Sequence, residues 1–204
     1  KPYAQMASNM GMDPKRQRHI PFQIENDRFV NNYLNVLHHP LEDEGVDFWW
    51  IDWQQGTQTG LEGLDPLWAL NHYHYLDSAY RNLEGLILSR YAGIGSHRYP
   101  VGFSGDIHMD WEFLDYMPYF TATAANVGYG WWSHDIGGHH RGERDEELYL
   151  RWLQFGVFSP INRIHCCPAV VTSKEPWTLS AGARALAGQW FRMRHKLIPY
   201  LYTA

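Results

Sequence analysis

Cysteine, charge and long apolar runs are all scarce in this 204-residue chain. Its only two cysteines, Cys166 and Cys167, are neighbours, which excludes a spaced disulfide framework and leaves the redox compartment open. Charged residues make up 19% of the chain with a formal balance of −5, and the 17 Lys and Arg are scattered rather than striped. Such a balance offers no field for gathering phosphates, so nucleic acid is not an expected partner. No apolar run approaches the roughly 18 to 20 residues that cross a bilayer, and Lys1–Gln5 does not open a secretory signal, so no membrane partner is expected and localisation stays undetermined. No Gly-x-Gly-x-x-Gly follows any strand-like run, which removes the main support for dinucleotide binding.

Aromatics are abundant instead: 10 Trp, 13 Tyr and 9 Phe, 16% of the chain, within 45% hydrophobic residues. That is enough for a sizeable core, and some rings can also serve as flat walls for stacking a sugar or a base.

Residues 1–26 are polar, with Pro2, Gly11, Pro14 and Pro21 and the basic stretch Lys15–His19, and read as an irregular loop segment. From Asp27, the spacing of Phe29, Val30, Tyr33, Leu34, Leu37 and Leu41 predicts a helix capped by Asp27 and interrupted at Pro40. Val46–Asp52 is a short continuous apolar run, as expected of a strand covered on both faces. Further strands are predicted at Leu86–Arg90, Tyr99–Gly105, Tyr129–Asp135 and Ser159–His165, with helices at Pro66–Asn82, Met109–Asn126, Glu143–Val157 and Thr178–Tyr202. The last helix is expected to bury Leu179, Ala183, Leu186, Trp190, Met193 and Leu197. Alternating strands and helices imply a parallel α/β sheet, open or closed into a barrel. Asp52, Arg90, Asp106, Asp135 and His165 each fall at or just past the carboxyl end of a different predicted strand, the face where a TIM-type (β/α)8 barrel carries its active site. One junction fits poorly: too few residues separate Arg90 from Arg98 for a crossover helix, so an irregular loop must join those strands or one of the two is misassigned.

Two carboxylates on separate strand ends beside aromatic rings are the minimum equipment for cleaving a glycosidic bond, one attacking or activating water, the other donating a proton. Asp52 lies between Trp50 and Trp53, and Asp106 follows Gly105 at a turn. Four ordered blocks sharpen this: Phe48-Trp49-Trp50-Ile51-Asp52; Ser89-Arg90 through Gly105-Asp106; Asp135-Ile136-Gly137-Gly138; and Arg151 to Pro160 running to Arg163-Ile164-His165. In these blocks, and in the closing Leu197–Tyr202, the chain resembles the family 31 glycoside hydrolases, which include α-glucosidases and α-xylosidases.

The resemblance implies a retaining α-glycosidase of the α-glucosidase type, with Asp52 as nucleophile and Asp106 as general acid and base. It further implies that Arg90, Asp135 and His165 bind hydroxyls of the cleaved sugar, that Trp50 and Phe103 supply apolar walls, with Trp53 beside them, and that no metal or other cofactor is needed. The family's two-step mechanism sets the carboxyl groups about 5 to 5.5 Å apart. Trp53-Gln54-Gln55 replaces the Met-Asn-Glu of many members, and Gly102–Asp106 replaces a His-Trp-Leu-Gly-Asp stretch, which bears on specificity.

A full barrel takes about 250 residues, and the family places its nucleophile on the fourth strand, with β-sandwich domains on either side. Residues 27–204 are therefore expected to form the C-terminal half of an incomplete barrel, about strands 4 to 8, whose partners are the other barrel half and the flanking β domains. The chain alone is expected to lack activity, or to self-associate through open sheet edges. Three alternatives remain: α-xylosidase or another α-glycoside specificity, a non-catalytic carbohydrate-binding piece, and a metal-dependent hydrolase using His134, His139 and His140 around Asp135.

Overall fold

A computed structural model of the chain describes every residue except 53, 54, 82–84, 91, 92 and 100. It divides into two compact units, Lys1–Pro100 and Val101–Ala204.

In the first unit, helix α1 (Pro2–Asn9) lies where a loop is expected. It is held because Met6 and Ala7 are buried, Met6 packing with Phe29 and Val36. Helix α2 (Asp27–Asn32) is capped by Asn26 rather than Asp27: the Asn26 side-chain Oδ1 accepts from Arg28 N at 2.9 Å and Phe29 N at 3.3 Å. The helix then widens into a π turn, Tyr33–His38, before α3 (His39–Asp43). Pro40 accounts for the widening, since it lacks an N–H and its ring crowds the carbonyl four residues back.

Strand β1 (Trp49–Ile51), helix α4 (Pro66–Tyr80) and strand β2 (Ile87–Arg90) form a parallel βαβ unit, with Trp49 opposite Ile87 and Ile51 opposite Ser89. Helix α4 starts where Asp65 accepts from Leu67 N and Trp68 N and where Pro66 fits the first turn. Its buried face, Leu67, Leu70, His74 and Ser78, follows helical spacing, and Leu67 and Leu70 pack in one cluster with Ile51 and Ile87. Beyond β2, the described residues carry a single-turn 3-10 helix, Ser96–Arg98, in line with an irregular connection.

In the second unit, β3 (Gly102–Phe103), α5 (Trp111–Asn126) and β5 (Trp132–Ser133) repeat the parallel arrangement, Phe103 opposite Ser133. A short parallel pair, β4 (His108–Met109) and β6 (His140–Gly142), has no counterpart in the sequence pattern. Gly138, at φ +79°, makes the turn into β6; a Cβ there would sit 2.7 Å from the His108 carbonyl oxygen.

Helix α6 (Glu146–Gly156) buries Leu148, Tyr149, Trp152 and Leu153. The expected strand at Ser159–His165 does not form. Its neighbour β5 is two residues long, so the segment keeps only isolated backbone bonds, such as Ile136 N to Arg163 O at 3.3 Å. The expected final helix is two: α7 (Ala181–Lys196) and α8 (Ile198–Thr203), broken ahead of Pro199. Its buried stripe is also narrower than expected, because Ala183 and Ala187 face the core while Leu186 and Met193 are exposed.

Candidate active site

The parallel register of β1 and β2 sets Ile51 beside Ser89, so the next residues, Asp52 and Arg90, emerge side by side at the carboxyl ends of the two strands. Arg90 Nε donates to Asp52 Oδ1 at 2.8 Å, and both side chains remain partly exposed. A guanidinium in that position favours the ionised carboxylate and fixes its orientation. Asp52 borders a cavity of about 700 Å³, also lined by Trp49, Trp50 and Gln55 and, from the helical side, by Tyr33, His38 and His74. Trp50 is 43% exposed. Trp53 lies outside the described residues.

The cavity's inner wall is aromatic and neutral. His38 stacks edge-on with Trp49 at 4.5 Å and His74 at 4.7 Å, and His74 Nε2 meets the Tyr33 hydroxyl at 3.1 Å. Burial pushes the His74 imidazole down to about 3, lowers His38 and raises Tyr33, so at neutral pH none of the three carries charge. Sequence reading missed these three, because their helical spacing is that of core residues.

In the second unit, Asp135 leaves β5 into full burial, where Arg163 Nη2 donates to its Oδ1. The same guanidinium lies 4.7 Å over the ring of Phe103. Phe103, expected as an apolar wall of the sugar site, is wholly buried beneath it. His139 stands between two carboxylates, its Nδ1 3.5 Å from Asp135 Oδ2 and its Nε2 3.8 Å from Asp106 Oδ1. Asp106 itself is exposed at the turn after β3. His165 lies 4.8 Å from the His139 ring, and Lys174 Nζ donates to its backbone carbonyl at 2.8 Å and to Gly138 O. Burial, reinforced by the Arg163 cation, pushes His165 down to about 4; burial also lowers His139 and brings Lys174 to about 8.

His134 does not belong to this group. Trp152 Nε1 donates to its Nδ1 at 3.3 Å and Ser159 Oγ lies 3.1 Å from its Nε2, so both ring nitrogens are used inside the core. The expected trio of metal-binding histidines around Asp135 is thereby reduced to His139 and His140, which gather with Asp106.

Each unit thus carries acidic and cationic groups beyond strands that run parallel, the side-chain set expected at the rim of a barrel. The family model described as the glycosyl hydrolases family 31 TIM-barrel domain matches residues 11–204. The chain belongs to glycosyl hydrolase family 31. An α-xylosidase of Saccharolobus solfataricus is 27% identical over 208 residues, 90% of this chain and 28% of that protein. Bovine lysosomal α-glucosidase is 32% identical over 123 residues, 60% of this chain and 13% of its own length. Among solved structures, the family 31 α-xylosidase of Xanthomonas citri superposes with a TM-score of 0.74 at 25% identity, covering 88% of this chain and 23% of that one. The family 31 chain therefore spans less than a third of these relatives' lengths. Its fold class is the family's TIM-type α/β barrel, of which each unit holds parallel strand–helix–strand units without closing a barrel. Among the described residues, no helix is long and apolar enough to cross a membrane.

Proposed function

We propose that this chain supplies the catalytic residues of a retaining α-glycosidase, acting within a longer polypeptide that completes the barrel. Asp52 attacks the anomeric carbon while Asp106 gives its proton to the leaving oxygen. The C1–O bond breaks, and a glycosyl ester forms on Asp52. Asp106, now a base, takes a proton from water as that water attacks C1 and frees Asp52. Arg90 keeps the nucleophile ionised, and Trp50 offers a face to the sugar. Asp135, His165 and the undescribed Trp53 are assigned to binding the same sugar on the strength of family resemblance.

The observation that carries the reading is the 2.8 Å pair that Arg90 makes with Asp52, a residue lining a cavity rich in aromatic side chains, in a chain of this family. A 700 Å³ cavity is within the usual range for small-ligand sites. The relatives bear both α-xylosidase and α-glucosidase names, and α-glucoside hydrolysis is the first expectation.

The test is covalent trapping in the longer polypeptide with a fluorinated glycosyl substrate. A peptide carrying the adduct on Asp52, absent from Asp52→Asn, is the expected result. Unchanged turnover in Asp52→Asn sinks the assignment, and sugar binding without turnover in the unaltered protein favours a carbohydrate-binding role. The 204-residue chain alone is expected to leave an aryl α-glucoside intact; measurable turnover overturns the need for further chain.

A further inference from the structure

We propose that Asp106, His139 and His140 form a binding site for a divalent transition metal of the zinc type, whose occupancy blocks Asp106; the blocking rests on the acid and base role given to Asp106 above. One ligand atom from each of the three lies within 4.8 Å of the others. His139 Nε2 and Asp106 Oδ1 are 3.8 Å apart, too far for a hydrogen bond. Two donors on a tetrahedral zinc, with bonds of about 2.0 to 2.2 Å, are separated by roughly 3.4 Å, so a metal draws this pair together by only a few tenths of an ångström.

The other face of His139 is prepared for the task. Its Nδ1 lies 3.5 Å from Asp135 Oδ2, on a carboxylate that is fully buried and anchored by Arg163. A carboxylate on that side of the imidazole favours the proton on Nδ1 and leaves Nε2, 3.8 Å from Asp106 Oδ1, as the ligand nitrogen, as in carboxylate–histidine–zinc arrangements. The backbone holds the ligands in one place: the N–H groups of His139 and His140 both donate to Ile107 O, at 2.7 and 3.3 Å, and Ile107 is next to Asp106 in the chain. Asp106 faces solvent, which leaves an approach for the ion and an outer position for water. Two imidazoles and one carboxylate are a donor set that suits zinc.

Calorimetric titration of the 204-residue chain with zinc chloride tests the site apart from any turnover. One equivalent is expected to bind, with affinity reduced by roughly 10- to 100-fold or more in His140→Ala and in Asp106→Asn, and unaltered in His195→Ala. Cobalt substituted for zinc should give the visible absorption of a four-coordinate ion, lost in His140→Ala. In the active longer polypeptide, zinc should inhibit and a chelator restore the rate. The zinc concentration for half inhibition should rise at least tenfold in His140→Ala, each protein being referred to its own metal-free rate. Absence of stoichiometric binding, equal affinity in a folded His140→Ala, or full turnover at zinc saturation overturns the proposal. Full metal-free activity in Asp106→Asn instead removes the acid and base role, and leaves the binding isotherms to stand by themselves.

Discussion

Lowering the pH from 7 to 5 should destabilise the second unit through His134, and the size of the effect follows from its burial. The ring is fully buried, and both nitrogens are held, Nδ1 by Trp152 and Nε2 by Ser159. Burial pushes its pKa from the usual 6.5 down to about 4. In the unfolded chain the ring takes up a proton below pH 6.5, whereas in the folded chain it resists until about pH 4. The unfolded state therefore binds more protons across this window, and stability falls as the pH falls. At pH 5 this single group costs about 2 kcal/mol relative to pH 7. Urea denaturation at the two pH values, read by the near-ultraviolet signal of the tryptophans, measures the loss. His165, also displaced to about 4, adds a loss of the same sign, so the decisive comparison is with His134→Gln. Glutamine can still donate to Ser159 but does not titrate, and its pH 7 to pH 5 loss should be smaller by about 2 kcal/mol. An identical pH dependence in the two proteins would refute the argument that burial of a neutral His134 makes the unit acid-sensitive.

The first unit should show the same behaviour through His74, held near 3, and His74→Gln should reduce its acid sensitivity by a similar amount. Asp65→Ala removes the acceptor for Leu67 N and Trp68 N and should cost about 1 kcal/mol in thermal or urea unfolding. Gly138→Ala forces a side chain into φ +79° and to within 2.7 Å of the His108 carbonyl oxygen; a loss of roughly 1 to 3 kcal/mol or failure to fold is expected, and wild-type stability would contradict the geometry. Arg90→Met removes a hydrogen bond to a charged group worth about 1.5 to 3 kcal/mol, so kcat/KM in the active polypeptide should fall by roughly 10- to 100-fold.

Local rules carried the sequence reading a long way. The run ending at Asp52, the run ending at Arg90, and the Asp65-Pro66 start of α4 are each written in consecutive residues, since an apolar run and a cap act over a few positions. The reading failed where a distant partner decides. Residues 2–9 look polar and loop-like, yet become a helix because Phe29 and Val36 offer Met6 a place to pack. Ser159–His165 looks like a strand, but its neighbour is too short to support a ladder.

The chain's two adjacent cysteines, scattered charge and aromatic wealth, with the ordered blocks around Asp52, Arg90, Asp106 and Asp135, were enough to determine its family and its parallel α/β class. Only the tertiary structure decided which groups meet. Strand register brings Arg90 onto Asp52, burial removes the charge from His38 and His74 around the cavity, and Arg163 divides its guanidinium between Asp135 and Phe103. The physical reason is the range of each effect. Helix and strand propensities act between neighbours in sequence, whereas desolvation and ion pairing depend on residues tens of positions away, whose approach is set by packing.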